Sequence, residues 1–384
     1  MISFFVILIL ISVLAGTSYY IAHRLYQGLA AFFPKVWFCP VLLIICTLTL
    51  IMILGFGRAL LPLSKDVKHI LGLLSSYCMG IMVYLLLFTV LTDVLLVVLR
   101  LMKVSFINHH LFKGGVTFGV LLLTLITCVY GFFNARQIDD VSYEIHLQDK
   151  KDISDLNMVM ISDLHLGAIG SEERLQEIVQ KINEKNPDVV CIAGDFFDTD
   201  FASIQNPEAA IKTLQGIQAT YGTYACLGNH DGGQTYEQMV EFLDLANIQL
   251  LNDESVIIDG RMILIGRLDA SPIGGYGDQK RKELSKIFTK EDPSMPVIVL
   301  DHNPANIHEY DREADLILCG HTHKGQIFPG NLFTNLMYTV DYGYYQKDDE
   351  SPHVIVSSGV GSWGMPMRVG TNCEIVTIQI SGEN

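Results

Sequence analysis

Five short polar clusters in the second half of the chain bring together the residue types that hold divalent metal ions. They read Asp163-Leu164-His165, Gly194-Asp195-Phe196-Phe197-Asp198, Gly228-Asn229-His230-Asp231, Asp301-His302-Asn303 and Gly320-His321-Thr322-His323. Each follows directly on a short apolar run. Carboxylate, imidazole and amide together suit Mn²⁺, Fe or Zn²⁺. A pair of such ions roughly 3.5–4 Å apart neutralises phosphoryl oxygens and lowers the pKa of water toward ~7, which is what hydrolysing a phosphate ester requires. Such a pair needs at least one shared carboxylate.

Singly, each cluster reads as an ordinary polar loop, or as a turn with an Asx cap at Asn229. Together they do not, because five of the eight histidines after residue 135 fall inside them. Asp163/His165 and His321/His323 alternate, and on an extended segment alternating side chains project to one side. The glycines at 194, 228 and 320 would let the backbone turn sharply beside the ions. His146, His308 and His353 lie outside the clusters and read as structural or surface residues.

The elements that must position these clusters are legible around them. Strands are predicted at Asn157–Ser162, Asp188–Ala193, Thr223–Leu227, Pro296–Leu300 and Leu316–Cys319, each leading into a cluster. Helices are predicted at Ser171–Lys185, from Pro207 behind an Asn206 cap through Ile217, and at Tyr236–Ala246. Further strands follow at Ser255–Ile258, Met262–Ile265, His353–Ser357 and Glu374–Ile380. Early alternation with helices and a strand-rich end indicate an α/β domain of packed sheets. Loops after strands gather at one edge of such a sheet, where ligands bind.

The first 135 residues belong to another solvent. Of 26 basic and 41 acidic residues, eight and two lie there, so residues 136–384 hold 18 against 39, a net charge of −21. That balance argues against nucleic acid as a partner, since phosphate backbones need basic surface. Four apolar runs, about Phe4–Ala22, Val36–Phe56, Ile70–Leu99 and Val116–Phe133, are long enough to cross a bilayer. The first lacks a basic segment ahead of it and reads as a retained helix, not a cleaved signal. Asp93, inside the third run, lies seven residues from Arg100 and reads as a structural acid reaching an interface. Five basic residues in loops one and three (Arg24, Lys35, Arg100, Lys103, Lys113) face four on the other side (Arg58, Lys65, Lys68, Arg136). That count favours an extracytoplasmic catalytic domain. Eight cysteines without a CxxC pair read as free thiols.

The five clusters, in this order, resemble the calcineurin-like metallophosphoesterase superfamily over roughly Met158 to Ile380. The resemblance implies two packed mixed β-sheets flanked by helices. It makes residues 1–135 a four-helix transmembrane domain, 136–154 a linker and first strand, and 155–384 the phosphoesterase domain. Carried over, it assigns one ion to Asp163, His165, Asp195 and His323, and the other to Asp195, Asn229, His302 and His321. His230 would protonate the leaving oxygen or stabilise the transition state, with Asp231 orienting it. Asp198 would orient a ligand or the backbone near Asp195. The His302-Asn303-Pro304 run, Gln326 and Ser357-Ser358-Gly359-Val360-Gly361 with Pro366 and Arg368 resemble a membrane-associated bacterial branch. Lys324 stands where that branch usually has glycine, and either meets an anionic substrate or points to solvent.

The function implied is a membrane-anchored phosphoesterase acting on a phosphodiester or a lipid-linked phosphate or pyrophosphate, with membrane lipid as the partner and no protein partner indicated. Two alternatives stand beside it: a silent membrane receptor or scaffold that binds phosphate, and a tethered nucleotide phosphodiesterase.

Overall fold

The computed structural model describes residues 2–105, 109–147, 150, 153, 156–167, 171–287, 294–310 and 313–382. The chain divides into two compact units, Met1–Phe132 and Phe133–Asn384.

The first unit is helical: α1 (Ile2–Phe32), α2 (Phe38–Phe56), α3 (Lys65–Leu101) and α4 (His110–Asn134). All four are long and apolar enough to cross a membrane. They run further than hydropathy alone marks. α1 continues ten residues past Ala22, because its polar side chains are satisfied inside the bundle. Ser18 hydrogen-bonds Thr49 at 2.8 Å, and Arg24 donates to Asp93 and Gln27. The partner of Asp93 is thus Arg24 on α1, not its near neighbour Arg100. Small residues allow close helix contact: a Cβ at Gly28 would collide with Thr117, and one at Gly55 with Ser75.

The second unit opens with β1 (Ile138–Leu147), β2 (Leu156–Ile161), α5 (Ser171–Glu184), β3 (Val189–Ala193), α6 (Pro207–Leu214), β4 (Thr223–Cys226) and α7 (Tyr236–Leu245). It continues with β5 (Ile248–Leu250), β6 (Glu254–Ile258), β7 (Met262–Gly266), β8 (Val297–Leu300), β9 (Leu316–Cys319), α8 (Gly330–Met337), β10 (Gly343–Tyr345), β11 (His353–Val356) and β12 (Cys373–Gly382). They form two six-stranded mixed sheets, ordered β1-β12-β2-β3-β4-β5 and β10-β11-β9-β8-β7-β6. Parallel pairing joins β2 to β3 and β3 to β4, and likewise β7 to β8 and β8 to β9.

Strand alternation explains the layers. Met158, Met160, Cys191 and Ala193 of the first sheet meet Leu264, Ile298, Leu300 and Leu318 of the second in one buried core. The intervening Val159, Ile161, Val190 and Ile192 face the apolar stripe of α5, Leu175, Ile178, Val179 and Ile182. These strands are buried on both faces, so they read as nearly continuous apolar runs. All eight cysteines are free, and the four in this unit are buried small hydrophobes.

Candidate metal centre

Five loops leave the carboxyl ends of β2, β3, β4, β8 and β9 and meet at one edge of the two sheets. Backbone hydrogen bonds set their register. Asp163 N donates to Gly194 O and His165 N to Asp195 O, both at 3.0 Å, while Gly320 N donates to His302 O at 2.9 Å. A Cβ at Gly194 would sit 2.6 Å from His302 Nδ1, so this close approach requires glycine, as does its φ of +78°.

The clusters are not extended, contrary to the sequence expectation. Asp163, His165, Asp195, His321 and His323 all have positive φ, between 48° and 74°. The loops after β2, β3 and β9 turn left-handed as soon as their strands end, and that turn, not alternation along a strand, aims these side chains inward. Such conformations cost about 1–3 kcal/mol apiece and gather where surrounding structure enforces them for function.

The donor atoms form two lobes about one carboxylate. In the first, His165 Nε2 and His323 Nε2 are 3.1 Å apart, and Asp163 Oδ1 lies 3.4 Å from His323 Nε2. In the second, His321 Nδ1 lies 2.9 Å from Asn229 Oδ1 and 3.3 Å from His302 Nε2. Asp195 Oδ2 stands between them, 3.8 Å from His165 Nε2 and 3.1 Å from His302 Nε2. Asp163, His165, Asp195 and His302 are essentially inaccessible.

This packing fits cations. His302 Nδ1 donates to the carbonyl of Ala193 at 2.8 Å, which leaves Nε2 facing Asp195 Oδ2 at 3.1 Å. Against burial, that carboxylate raises His302 well above its ordinary value, so a proton sits between the two where a bound cation would take its place. Two other imidazoles are already in the ligand form. Burial pushes His165 down to about 3 and His321 down to about 4, so both are neutral ligands at pH 7. Burial opposes the charge of Asp195, but neighbouring His302 holds that carboxylate well below its usual range. Burial raises Asp163 to about 6.

Around the lobes, several expected roles change. Asp231 does not touch the His230 ring. It is buried and accepts from Phe197 N (2.9 Å) and Gly228 N (2.8 Å), tying two site loops together. Two backbone amides converge on its carboxylate, which leaves it turned away from the imidazole. The group on His230 is Thr199, whose Oγ1 lies 2.6 Å from Nδ1. Asp198 Oδ1 is 3.8 Å from His165 Nδ1. Lys324 is half-buried and sets its Nζ 3.9 Å over the Tyr342 ring. Arg368 is fully buried, with Nη2 3.0 Å from His323 Nδ1 and Nη1 donating to His323 O. Gln326 donates to the carbonyl of Trp363 and accepts from its amide, both at 2.7 Å. Arg368 and Gln326 therefore clamp the 357–368 loop against the last histidine motif.

Sequence reasoning missed Trp363, whose ring centroid is 5.9 Å from that of His230, and Tyr338, 6.1 Å from His321. Tyr338 follows α8, whose Leu332/Leu336 and Phe333/Met337 pairs repeat at helical spacing, the one signal that would have found it.

Residues 156–325, which hold all five clusters, match the calcineurin-like phosphoesterase family. A transmembrane protein with a metallophosphoesterase domain from Danio rerio is 30% identical over 87% of this chain and 79% of its own length. The chain belongs to the calcineurin-like metallophosphoesterases. A metallophosphoesterase of Helicobacter pylori is 33% identical over 62% of this chain, and the match spans 62% of that relative. A UDP-2,3-diacylglucosamine pyrophosphatase of Chlamydia trachomatis is 28% identical over 54% of this chain and 78% of its own length. Members of this family are metal-dependent phosphoesterases, and four helices of this chain are long and apolar enough to cross a membrane.

Proposed function

We propose that this metallophosphoesterase binds two divalent ions and hydrolyses a lipid-linked phosphate or pyrophosphate, or a phosphodiester, presented at a membrane. The observation that carries the reading is the pair of donor lobes sharing Asp195, with His165/His323 on one side and His302/His321 on the other. Asp163, His165, Asp195 and His323 would hold one ion, and Asp195, Asn229, His302 and His321 the second. Ions there supply charge for the phosphoryl oxygens and a nucleophile at neutral pH.

The chain's own residues supply the rest. With Nδ1 of His230 engaged by Thr199, Nε2 is the nitrogen left to give a proton to the leaving oxygen. Asp231, Arg368 and Gln326 fix the loops that carry the donors.

A lipid-linked substrate is supported by the apolar rim of the site. Trp363 (46% exposed) stands beside His230, and α8 exposes Leu336 (83%) and Met337 (75%) just before Tyr338. Large apolar groups held in water at a phosphate-cleaving site suit a substrate with an apolar part. The Chlamydia relative carries the name of an enzyme for such a substrate. Arg24 lies eight residues inside α1 and is neutralised by Asp93, so without it four basic residues remain on each side and charge no longer chooses an orientation. A C-terminal reporter fusion decides the side.

Purified full-length protein with Mn²⁺ should hydrolyse bis-p-nitrophenyl phosphate, and Asp195→Asn should abolish it. Equal rates in the two proteins would refute the assignment.

A further inference from the structure

The four-helix unit contains a cavity of about 400 Å³ among α1, α3 and α4, lined by Arg24, Gln27, Asp93, Arg100, Lys113 and Thr117. Three cations and one acid in an apolar bundle call for an explanation, since uncompensated charge in a membrane segment is costly. The acid is already committed. Asp93 pairs with Arg24 and accepts from Tyr20 Oη at 2.7 Å. Arg24 in turn donates to Gln27 at 2.9 Å. Only one other acid, Asp66, occurs before residue 136. Among the described residues, Arg100 and Lys113 have no acidic partner, and both line the cavity exposed.

Helix geometry places these groups at two depths. Arg100 is one residue from the end of α3, and Lys113 is three from the start of α4. Arg24 and Asp93 each lie eight residues inside their helix ends, roughly 12 Å in at 1.5 Å per residue, against about 1.5 Å for Arg100 and about 4.5 Å for Lys113. Leu96 and Val120 flank the inner part. The cavity therefore has a cationic mouth near the helix ends, a neutralised polar floor and walls that mix Thr89 and Thr92 with Leu96 and Val120.

We propose that this cavity binds a phosphate group, with Arg100 and Lys113 as its counter-charges and Gln27 and Thr117 as polar neighbours. Arginine offers a planar fork to phosphate oxygens and lysine a point charge, the two side chains that phosphate sites use. The phosphate comes from a lipid headgroup or from free phosphate, and a mouth between helices long and apolar enough to span a bilayer favours the lipid. The site uses only residues of the helical unit and holds whether or not the metal centre turns over.

The test is native mass spectrometry of full-length protein carrying Asp195→Asn, so that turnover cannot consume the probe. The protein is released from nanodiscs of phosphatidylcholine doped with phosphatidic acid. It should retain phosphatidic acid in preference to phosphatidylcholine. Arg100→Gln with Lys113→Gln should weaken that retention at least about tenfold, the equivalent of 1.4 kcal/mol. Arg100→Lys with Lys113→Arg conserves charge and should keep it, which separates lost charge from damaged folding. Displacement by millimolar inorganic phosphate would show that the site reads phosphate alone; resistance to it would show that the acyl chains contribute. Absence of any preference over phosphatidylcholine, or equal retention by the double Gln variant, would overturn the proposal.

Discussion

Thr199 Oγ1 lies 2.6 Å from Nδ1 of His230, and Thr199 holds that position at a φ of +68°. A β-branched residue in the left-handed region is a genuine outlier, maintained against about 1–3 kcal/mol of strain. The strain is accepted where a hydroxyl meets the proposed proton donor. Thr199→Val keeps the shape and removes the hydrogen bond, so kcat should fall several-fold, in line with about 0.5–1.5 kcal/mol for such a bond. Thr199→Gly should lower kcat equally while leaving Tm unchanged or raised, because the strain is released. A Thr199→Val enzyme with wild-type kcat and pH profile would remove Thr199 from the mechanism.

The donor-bearing clusters were legible because chemistry restricts them to a few residue types, each placed directly after a buried strand. The sheets were legible for a related reason: Val189–Ala193 and Leu316–Cys319 are buried on both faces and admit no polar residue. What escaped was set by tertiary contact. Thr199 is an unremarkable hydroxyl until the chain folds it onto His230, 31 residues away. The partner of Asp93 lies 69 residues off on another helix, whereas Arg100, nearer in sequence, turns elsewhere. The left-handed positions at Asp163 and His165 are not glycines, so an extended reading was the natural one.

Asp253 and Arg267 form a buried ion pair, Nε to Oδ1 at 2.8 Å, with both residues about 1% exposed. Asp253 also accepts from Leu268 N and Lys282 N, at 3.1 and 2.6 Å. Truncating one partner leaves an uncompensated buried charge, which costs about 3–5 kcal/mol. Asp253→Ala should therefore lower Tm by several degrees, while the fraction that remains folded keeps its kcat. Differential scanning calorimetry beside single-temperature kinetics would check both halves, and an unchanged Tm would contradict the argument.

Acid should strip the two proposed ions. Burial raises Asp163 to about 6, so at low free-ion concentration this ligand is neutralised as pH falls through that value. A protonated carboxyl is a poor ligand, and affinity in the first lobe should fall with it. In the second lobe burial holds His321 at about 4, but against burial Asp195 raises His302 well above its ordinary value, so an ion there must displace a proton too. Bound metal per protein, measured after desalting at successive pH values, should therefore fall as pH drops through about 6. Full retention of both ions about one pH unit below that would contradict the argument.

α8 gives the sharpest test of the substrate. Leu336 and Met337 are 83% and 75% exposed, on the turn that leads into Tyr338 beside His321. Burying such side chains against an acyl chain is worth about 1.5–3 kcal/mol apiece. If they hold the apolar part of the substrate, Leu336→Ser with Met337→Ser should raise KM for a lipid-linked phosphate about 100-fold or more. Hydrolysis of bis-p-nitrophenyl phosphate, which has no such part, should be unaffected in kcat and KM. Neither side chain is buried, so the fold has little to lose. Equal loss on both substrates would mean that the helix supports the metal centre and does not read the lipid. Equal retention on both would mean that the substrate reaches the metals without touching this rim.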